Sequence, residues 1–564
     1  MVRTKKYEIF ETLVRGTFDG NPFLNNVYAV FSSDKLSVRV DGFYDGEGIW
    51  RIRFLPQKAG IWSYTVYTDA AGYGEESGCF ECIEEADGKG IVKVRNQFHF
   101  CYEDGTPYYP FGTTCYAWIY QTLPLQEQTL STLAESGFNK LRMCVFPKWF
   151  EHSFDKKPLM FPCEGPQEEG FDYMRPNLSF FRLLDQRIAQ LGEMGIQADL
   201  ILFHPYEKKS WAFNWMTEEQ DFFYLKYMAA RYSAFPNVWW SMANEWDLFS
   251  MRQGCPKASP EYWSRMGRFL KEKDPYGHLN SIHNCMRLFD YGQDWISHVS
   301  LQKTDTYKTA EMVGQWRKDY AKPVVLDECS YEGNVGHTWG NITGEEMTRR
   351  FCEGIVRGGY VSHGETYTCP EDLLWWSHGG TLKGSSPQRI AFLRQLIEEY
   401  PQYEIEMISD FGDVLCGGTP KEYLLYYYSF FTPCEGNFKL PVSRNYTLEV
   451  IDTWNMTREK QEGVYTGNVT VALPSRPYML VRFVAVSHRK WEEIKLTPES
   501  TFDDLLEMPG KDIIMEELRS RMGSQIEAAL PMILQQSLGG FTSMIGMEAS
   551  LLEELLDRVN NVAG

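Results

Sequence analysis

The sequence predicts an α/β chain: a (β/α)8 TIM barrel flanked by N-terminal and C-terminal β-sandwich domains, with a small C-terminal helical region. Three observations carry that reading. Apolar strand-like runs alternate with amphipathic helical stretches about eight times between residues 95 and 400, the texture of a parallel sheet covered on its outer face. Short β-rich segments broken by Gly and Asp precede this region, and similar ones broken by Gly and Pro follow it. Beyond residue 487 helical spacing of Leu and Ile takes over. A chain of 564 residues also exceeds what one compact core usually holds.

The first domain is expected over residues 1–93. Leu36–Asp41, Ile49–Phe54 and Trp62–Tyr67 are rich in β-branched and aromatic residues, and Asp45-Gly46, Ala59-Gly60 and Ala71-Gly72 punctuate them. Ile91–Val94 reads as a linking strand. The barrel is expected over residues 94–405. Its strand candidates are Pro107–Thr114, Phe138–Phe146, Ile196–Phe203, Val238–Ala243, Ser281–Asn284, Val299–Lys303, Val324–Asp327 and Tyr360–His363. Helices are expected at Leu125–Ser136, Ser179–Met194, Gln220–Tyr232, Pro260–Lys273, Gly344–Arg357 and Pro387–Tyr400. Strands return over residues 406–487 at Tyr423–Phe430, Tyr446–Ile451 and Tyr478–Val484. Residues 488–564 read as a small helical bundle opening on Thr501–Asp504, a capping box with Asp in place of Glu. It could be a docking or oligomerisation module through which a homo-oligomer forms, or a cap on the preceding sandwich.

Composition removes several functional classes. The net charge of −20 argues against nucleic acid and anionic lipid, which need a basic patch. No window of about 20 apolar residues offers a membrane span. Met1 to Phe10 is charged, unlike a signal peptide, so a cytoplasmic protein is expected. The 13 Cys are scattered, and the Cys79/Cys82 pair has no second pair to complete a zinc site; reduced thiols fit a cytosolic chain. No GxGxxG follows the first strand and no P-loop or HExxH is present, so no metal or cofactor is expected. Aromatics make up 15% of residues. Such rings are core formers first, and they also suit sugar-binding clefts, where the apolar face of a pyranose stacks on a ring.

In a barrel the chemistry sits at the C-terminal ends of the strands. The fourth run ends in Asn244-Glu245-Trp246-Asp247. A Glu held there in a partly dry site gains a raised pKa and can protonate a leaving oxygen; it could also simply cap the next helix. Asn244 is suited to a substrate hydroxyl. The seventh run ends in Asp327-Glu328-Cys329, and since adjacent side chains point to opposite sides of a strand, Glu328 is assigned to the mouth. Strands four and seven lie across the barrel from each other, so Glu245 and Glu328 can flank one bond. Retention of configuration needs carboxyls about 5–5.5 Å apart and inversion about 6.5–9.5 Å. Further polar groups stand at other strand ends: Arg142, His204, His283-Asn284, Asp305, Tyr307 (whose hydroxyl could donate to the nucleophile) and Glu365. A loop at Trp375–Gly380 contributes Trp376 and His378. Each of these, taken singly, could equally be structural.

Asn-Glu after strand four with Glu after strand seven resembles the clan of retaining (β/α)8 glycosidases. Pro110–Thr114, Trp240–Asp247 and the Trp376–Gly380 loop, together with a sandwich on either side of the barrel, resemble the apiosidase-like glycosidases over residues 5–486. The resemblance implies Glu245 as acid/base, Glu328 as nucleophile, and hydrolysis of a short oligosaccharide or plant glycoside by double displacement. Two other readings stay open: a non-catalytic carbohydrate-binding or scaffold protein, and a transglycosylase or phosphorylase using the same carboxylates.

Overall fold

In the computed structural model, eight parallel strands form the centre of the first of two units, Met1–Gln402 and Tyr403–Gly564. The structure describes residues 1–34, 36–69, 76–148, 158–166, 170–206, 213–248, 257, 259–369, 373–410 and 414–563. The strands are Gly112–Thr114 (β1), Lys140–Cys144 (β2), Gln197–Phe203 (β3), Val238–Ala243 (β4), Asn280–Ser281 (β5), Val299–Gln302 (β6), Val324–Glu328 (β7) and Tyr360–His363 (β8). Hydrogen bonding runs β5-β4-β3-β2-β1-β8-β7-β6, and a parallel bridge between His283 and Ser300 closes the ring. Every residue of β3, β4 and β7 is buried. Both faces of a barrel strand are covered, so its sequence is mainly apolar without strict alternation, and its few polar residues are buried too.

The outer ring comprises Leu123–Glu135 (α1), Leu178–Glu193 (α2), Glu218–Tyr232 (α3), Pro260–Lys273 (α4), Val313–Tyr320 (α5), Gly344–Val356 (α6) and Ser386–Glu398 (α7). Starts are signalled locally: Asn177 caps α2, Thr217 and Gln220 form a capping box on α3, and Thr343 caps α6. The periodicity does not announce α5, whose eight residues offer only Val313 and Trp316 as buried apolar anchors. The first strand is also shorter than expected. Pro107–Tyr108 instead joins Val92–Arg95 and His99–Tyr102 in a small antiparallel sheet. That sheet lays Phe100 and Tyr108 against Trp239 of β4, with ring centroids 5.2 and 6.0 Å apart.

The N-terminal strands form a five-stranded and a three-stranded sheet. Burial alternates along Val27–Ser33 and Ile49–Phe54, so one face of each supplies a core of Val14, Phe31, Ile52, Phe54, Trp62 and Phe80. Arg231 of α3 is fully buried and holds Asp45 of this domain at 3.0 Å and Asp185 of α2 at 2.8 Å.

The second unit contains a six-stranded antiparallel sheet and a two-stranded antiparallel sheet of Glu435–Lys439 and Asn468–Ala472. Five helices follow: Phe502–Glu507 (α8), Asp512–Met522 (α9), Gln525–Ile533 (α10), Leu538–Met544 (α11) and Ala549–Ala563 (α12). The Thr501–Asp504 capping box is present, with each backbone N–H donating to the other residue's side chain. The helices enclose their own core around Leu505, Ile514, Leu518, Ile526, Leu538 and Val559. They also dock on the sheet: Lys421 bridges Asp503 and Glu507, both at 2.7 Å. No described helix is long and apolar enough to cross a membrane.

Inside the barrel, Lys140 of β2 stands 2.5 Å from Asp199 of β3 and 2.8 Å from Asp327 of β7. Ser300 and Ser362 donate to the same Asp327 carboxylate. Burial disfavours the ammonium, but the two carboxylates outweigh it and raise the Lys140 pKa. Lys140→Met would leave both acids in the core without that cation. It is expected to lower unfolding free energy by about 3–5 kcal/mol, measured as a reduced urea midpoint.

Candidate active site

Two carboxyl groups meet at the C-terminal mouth of the barrel. Glu328 ends β7 and is 6% exposed. Its Oε1 accepts hydrogen bonds from the Tyr116 hydroxyl and, at 2.7 Å, from Nη1 of Arg142. Nε2 of His283 stands 3.3 Å from the same oxygen. Burial opposes ionisation of Glu328, yet His283, the Arg142 charge and the Tyr116 hydroxyl outweigh it and hold the group well below the usual carboxylate range. Burial and the Arg142 charge push the His283 pKa down, so Arg142 is the lasting positive charge at Glu328.

Glu245 follows β4 and is half-buried. Its backbone is left-handed, φ 47°, a conformation costing a non-glycine residue about 1–2 kcal/mol. Neighbouring bonds hold it there. Asn244 N–H donates to Phe203 O at 2.8 Å, Trp246 N–H to His283 O at 3.0 Å, and Leu248 N–H to Glu245 O at 3.0 Å. Asp247 accepts the N–H groups of Cys285, Met286 and Arg287 at 2.6–2.8 Å, tying the loop after β4 to the loop after β5. Desolvation, reinforced by the Glu328 charge, raises Glu245 to about 7, with Lys148 and a hydrogen bond from the Cys285 thiol opposing. Strain retained at such a position is characteristic of functional sites.

The spacing of the pair follows from Gln302 at the end of β6. With its amide nitrogen turned to the carboxyls, it donates to Glu245 Oε1 at 3.1 Å and to Glu328 Oε2 at 2.9 Å. Two atoms bonded to one nitrogen at those lengths lie no more than about 6 Å apart. Sequence reasoning missed Gln302 because a bulge places it: β6 and β7 pair Leu301 with Leu326, then Gln302 with Glu328, skipping Asp327. Asp327 accordingly serves the interior cluster with Lys140, and Glu328 the mouth.

The other anticipated residues divide. Arg142, Asn244 and His283 join the pair; Nη2 of Arg142 donates to Asn244 Oδ1, and Asn244 Nδ2 donates to the Tyr206 hydroxyl at 2.8 Å. Trp376 packs edge-on to Tyr116 with centroids 5.8 Å apart. His378 lies in the same short helical turn, its Nδ1 2.9 Å from Ser377 Oγ. His204 is buried, 3.2 Å from Phe146 O, and burial with the Lys148 charge pushes it down to about 3. Glu365 receives the N–H groups of Lys383 and Gly384 at 2.5 and 2.7 Å, so its carboxylate anchors the loop before α7. Asp305 accepts from the N–H groups of Tyr307 and Lys308 on an exposed loop. Tyr307 is 85% exposed, and the tyrosine that donates to Glu328 is Tyr116, two residues past β1. Its sequence signal is its place two residues past the end of the first strand.

Aromatic rings wall the site. The Lys148 ammonium stands 3.9 Å from the Tyr116 ring centroid, 5.0 Å from Tyr206 and 5.7 Å from Trp376. Tyr331, Trp339 and Trp376 form a contiguous patch with centroids 5.4–6.1 Å apart. A Cβ at Gly364 would collide with the Tyr331 ring, which fixes glycine there. A raised acid, an ionised carboxylate and aromatic walls can together cleave an acetal, one group donating a proton while the other meets the carbon.

Residues 94–403 match the apiosidase-like catalytic domain family, and residues 3–69 and 412–484 match two domain families of unknown function. A solved structure of a candidate glycoside hydrolase from Bacteroides vulgatus ATCC 8482 is 35% identical, with TM-score 0.81, covering 86% of this chain and 100% of its own. A family 5 glycoside hydrolase from the same organism is 15% identical with TM-score 0.52, covering 70% of this chain and 93% of its own, a likeness of fold alone. No curated protein matches the sequence. With the barrel and its sheet domains as described, the chain belongs to the apiosidase-like family and is a glycoside hydrolase.

Proposed function

We propose that the enzyme cleaves a terminal sugar from a short oligosaccharide or plant glycoside by double displacement, with Glu245 as acid/base and Glu328 as nucleophile. The observation that carries this reading is the single amide nitrogen bonded to both carboxyls. With the amide so turned, Oε1 of Glu245 and Oε2 of Glu328 lie within about 6 Å of each other, which is compatible with the spacing of a retaining pair. The opposed environments assign the roles. Glu245, raised to about 7, keeps a proton for the glycosidic oxygen; Glu328, lowered by His283, Arg142 and Tyr116 against its burial, stays ionised to attack the anomeric carbon. Water then resolves the glycosyl-enzyme, with Glu245 as base. The rings of Tyr116, Tyr206, Trp339 and Trp376 suit the apolar faces of a sugar, and Asn244, Arg142 and His378 suit its hydroxyls. We also propose the four-part division at residues 93, 405 and 487, with the second reading of the tail, a cap on the sandwich, supported by the Lys421 ion pairs.

A panel of nitrophenyl furanosides and pyranosides tests the assignment. Glu245→Ala is expected to lower kcat/KM on the cleaved substrate roughly 100- to 10,000-fold. Glu328→Ala should lose turnover and regain it with azide, giving a glycosyl azide; a full rate in either variant would refute the assignment. Tyr116→Phe removes a hydrogen bond to a charged group and should lower kcat roughly 10- to 100-fold. The pH profile has a defined sign. Glu245 must be protonated, so activity falls as pH rises through about 7; Glu328 must be ionised, so the acid limb lies below the ordinary carboxylate range. A basic limb that is absent in wild type would contradict the role of Glu245.

A further inference from the structure

We infer that Gln302 is a positioning residue that sets the spacing of Glu245 and Glu328 and leaves Oε2 of Glu328 as the attacking oxygen. The inference rests on the double-displacement reading above and adds to it a residue with no chemistry of its own.

Four observations converge on Gln302. The first is its placement. Regular pairing would set Gln302 beside Asp327 and away from the mouth; the bulge at Leu301–Gln302 pairs it with Glu328 instead, and Lys303 N–H then donates to Glu328 O at 2.9 Å. The second is its anchoring. Asn284 accepts the Gln302 N–H at 3.0 Å and donates to the Gln302 carbonyl at 3.2 Å, clamping its backbone from the loop after β5. The third is the bridge itself. An amide nitrogen carries two hydrogens about 120° apart. With acceptors at 3.1 and 2.9 Å, straight bonds along both hydrogens would set the two oxygens about 5.2 Å apart, in keeping with a retaining pair. The fourth is the division of donors at Glu328. Oε1 faces Tyr116, Arg142 and His283. Among the described residues, Gln302 alone donates to Oε2. An oxygen that accepts two hydrogen bonds and has His283 Nε2 3.3 Å away is poorly placed to form a bond to carbon, whereas Oε2 gives up one donor when it attacks.

The bridge also has an electrostatic consequence. Each of its two hydrogens favours the ionised form of the carboxyl it touches. Removing the amide therefore raises the titration of both groups together, in the same direction, which a loss of packing alone would not do.

The test uses the full chain with Gln302→Met, which keeps the length and removes the donor, and Gln302→Asn, which keeps the amide but is one methylene too short to span the pair. Two readouts are taken: the pH dependence of water-soluble carbodiimide labelling of Glu245 in substrate-free enzyme, followed by peptide mass spectrometry, and kcat/KM against pH on the nitrophenyl glycoside that wild type cleaves. In either folded variant the labelling midpoint of Glu245 and the basic limb of kcat/KM are expected to rise by about one pH unit, with kcat lower roughly tenfold. Unmoved midpoints and limbs in a variant that folds overturn the inference, whatever happens to the rate. Failure of azide to rescue Glu328→Ala would instead overturn the double-displacement reading; rescue with an unmoved Glu245 midpoint sinks the role of Gln302 alone.

Discussion

Arg142 is the interaction on which the mouth of the barrel depends. It is a permanent cation, 1% exposed, and such a charge survives burial only among partners. Its partners are Glu328 from β7 and Asn244 from the loop after β4. One guanidinium therefore fixes three strand ends relative to each other, and its planar fork does so with defined angles. His283, Arg142 and the Tyr116 hydroxyl together hold the Glu328 carboxyl ionised against its burial, which suits the nucleophile's part in the proposed reaction. The carboxyl it does not hydrogen-bond, Glu245, is left to desolvation and to repulsion from Glu328. Two residues of the same type are thus shifted in opposite directions, Glu245 up by burial and Glu328 down by His283, Arg142 and Tyr116.

The layers beneath and around repeat that logic. One layer down, Lys140 bridges Asp199 and Asp327 inside the barrel, and the Ser300 and Ser362 hydroxyls complete the bonding of Asp327. At the rim, the left-handed backbone of Glu245 is kept by bonds to Phe203 and His283 and by the Asp247 clamp. A bulge in the β6–β7 pairing, with Asp327 of β7 as the extra residue, brings Gln302 to the same pair. The cost of a buried charge, a strained φ and an irregular strand pairing is concentrated within a few residues, and the regular β3 and β4 beside them supply the rigidity that sustains it.

The architecture was legible because its signals are local. Continuous apolar runs such as Val238–Ala243 and Val324–Leu326 can belong only to elements buried on both faces, and the Thr501–Asp504 box marks a helix start within four residues. The two glutamates were legible because a barrel confines chemistry to strand ends. What escaped depends on geometry that sequence does not carry. The bulge that turns Gln302 inward leaves no trace in Val299–Lys303. Tyr307 and Tyr116 are both tyrosines beyond strand ends; only the course of the loop after β6, capped outward by Asp305, separates the exposed ring from the one that bonds Glu328. Helix α5 carries too few apolar residues for its period to be seen, and packing forms it.

The central claim is a covalent intermediate on Glu328. The most direct measurement incubates the enzyme with a 2-deoxy-2-fluoro glycosyl fluoride of the sugar it accepts, then maps the adduct by peptide mass spectrometry. The account predicts a single sugar ester on the peptide containing Glu328, with loss of activity in step with labelling. Turnover with no adduct, or an ester on any other carboxyl, would contradict it.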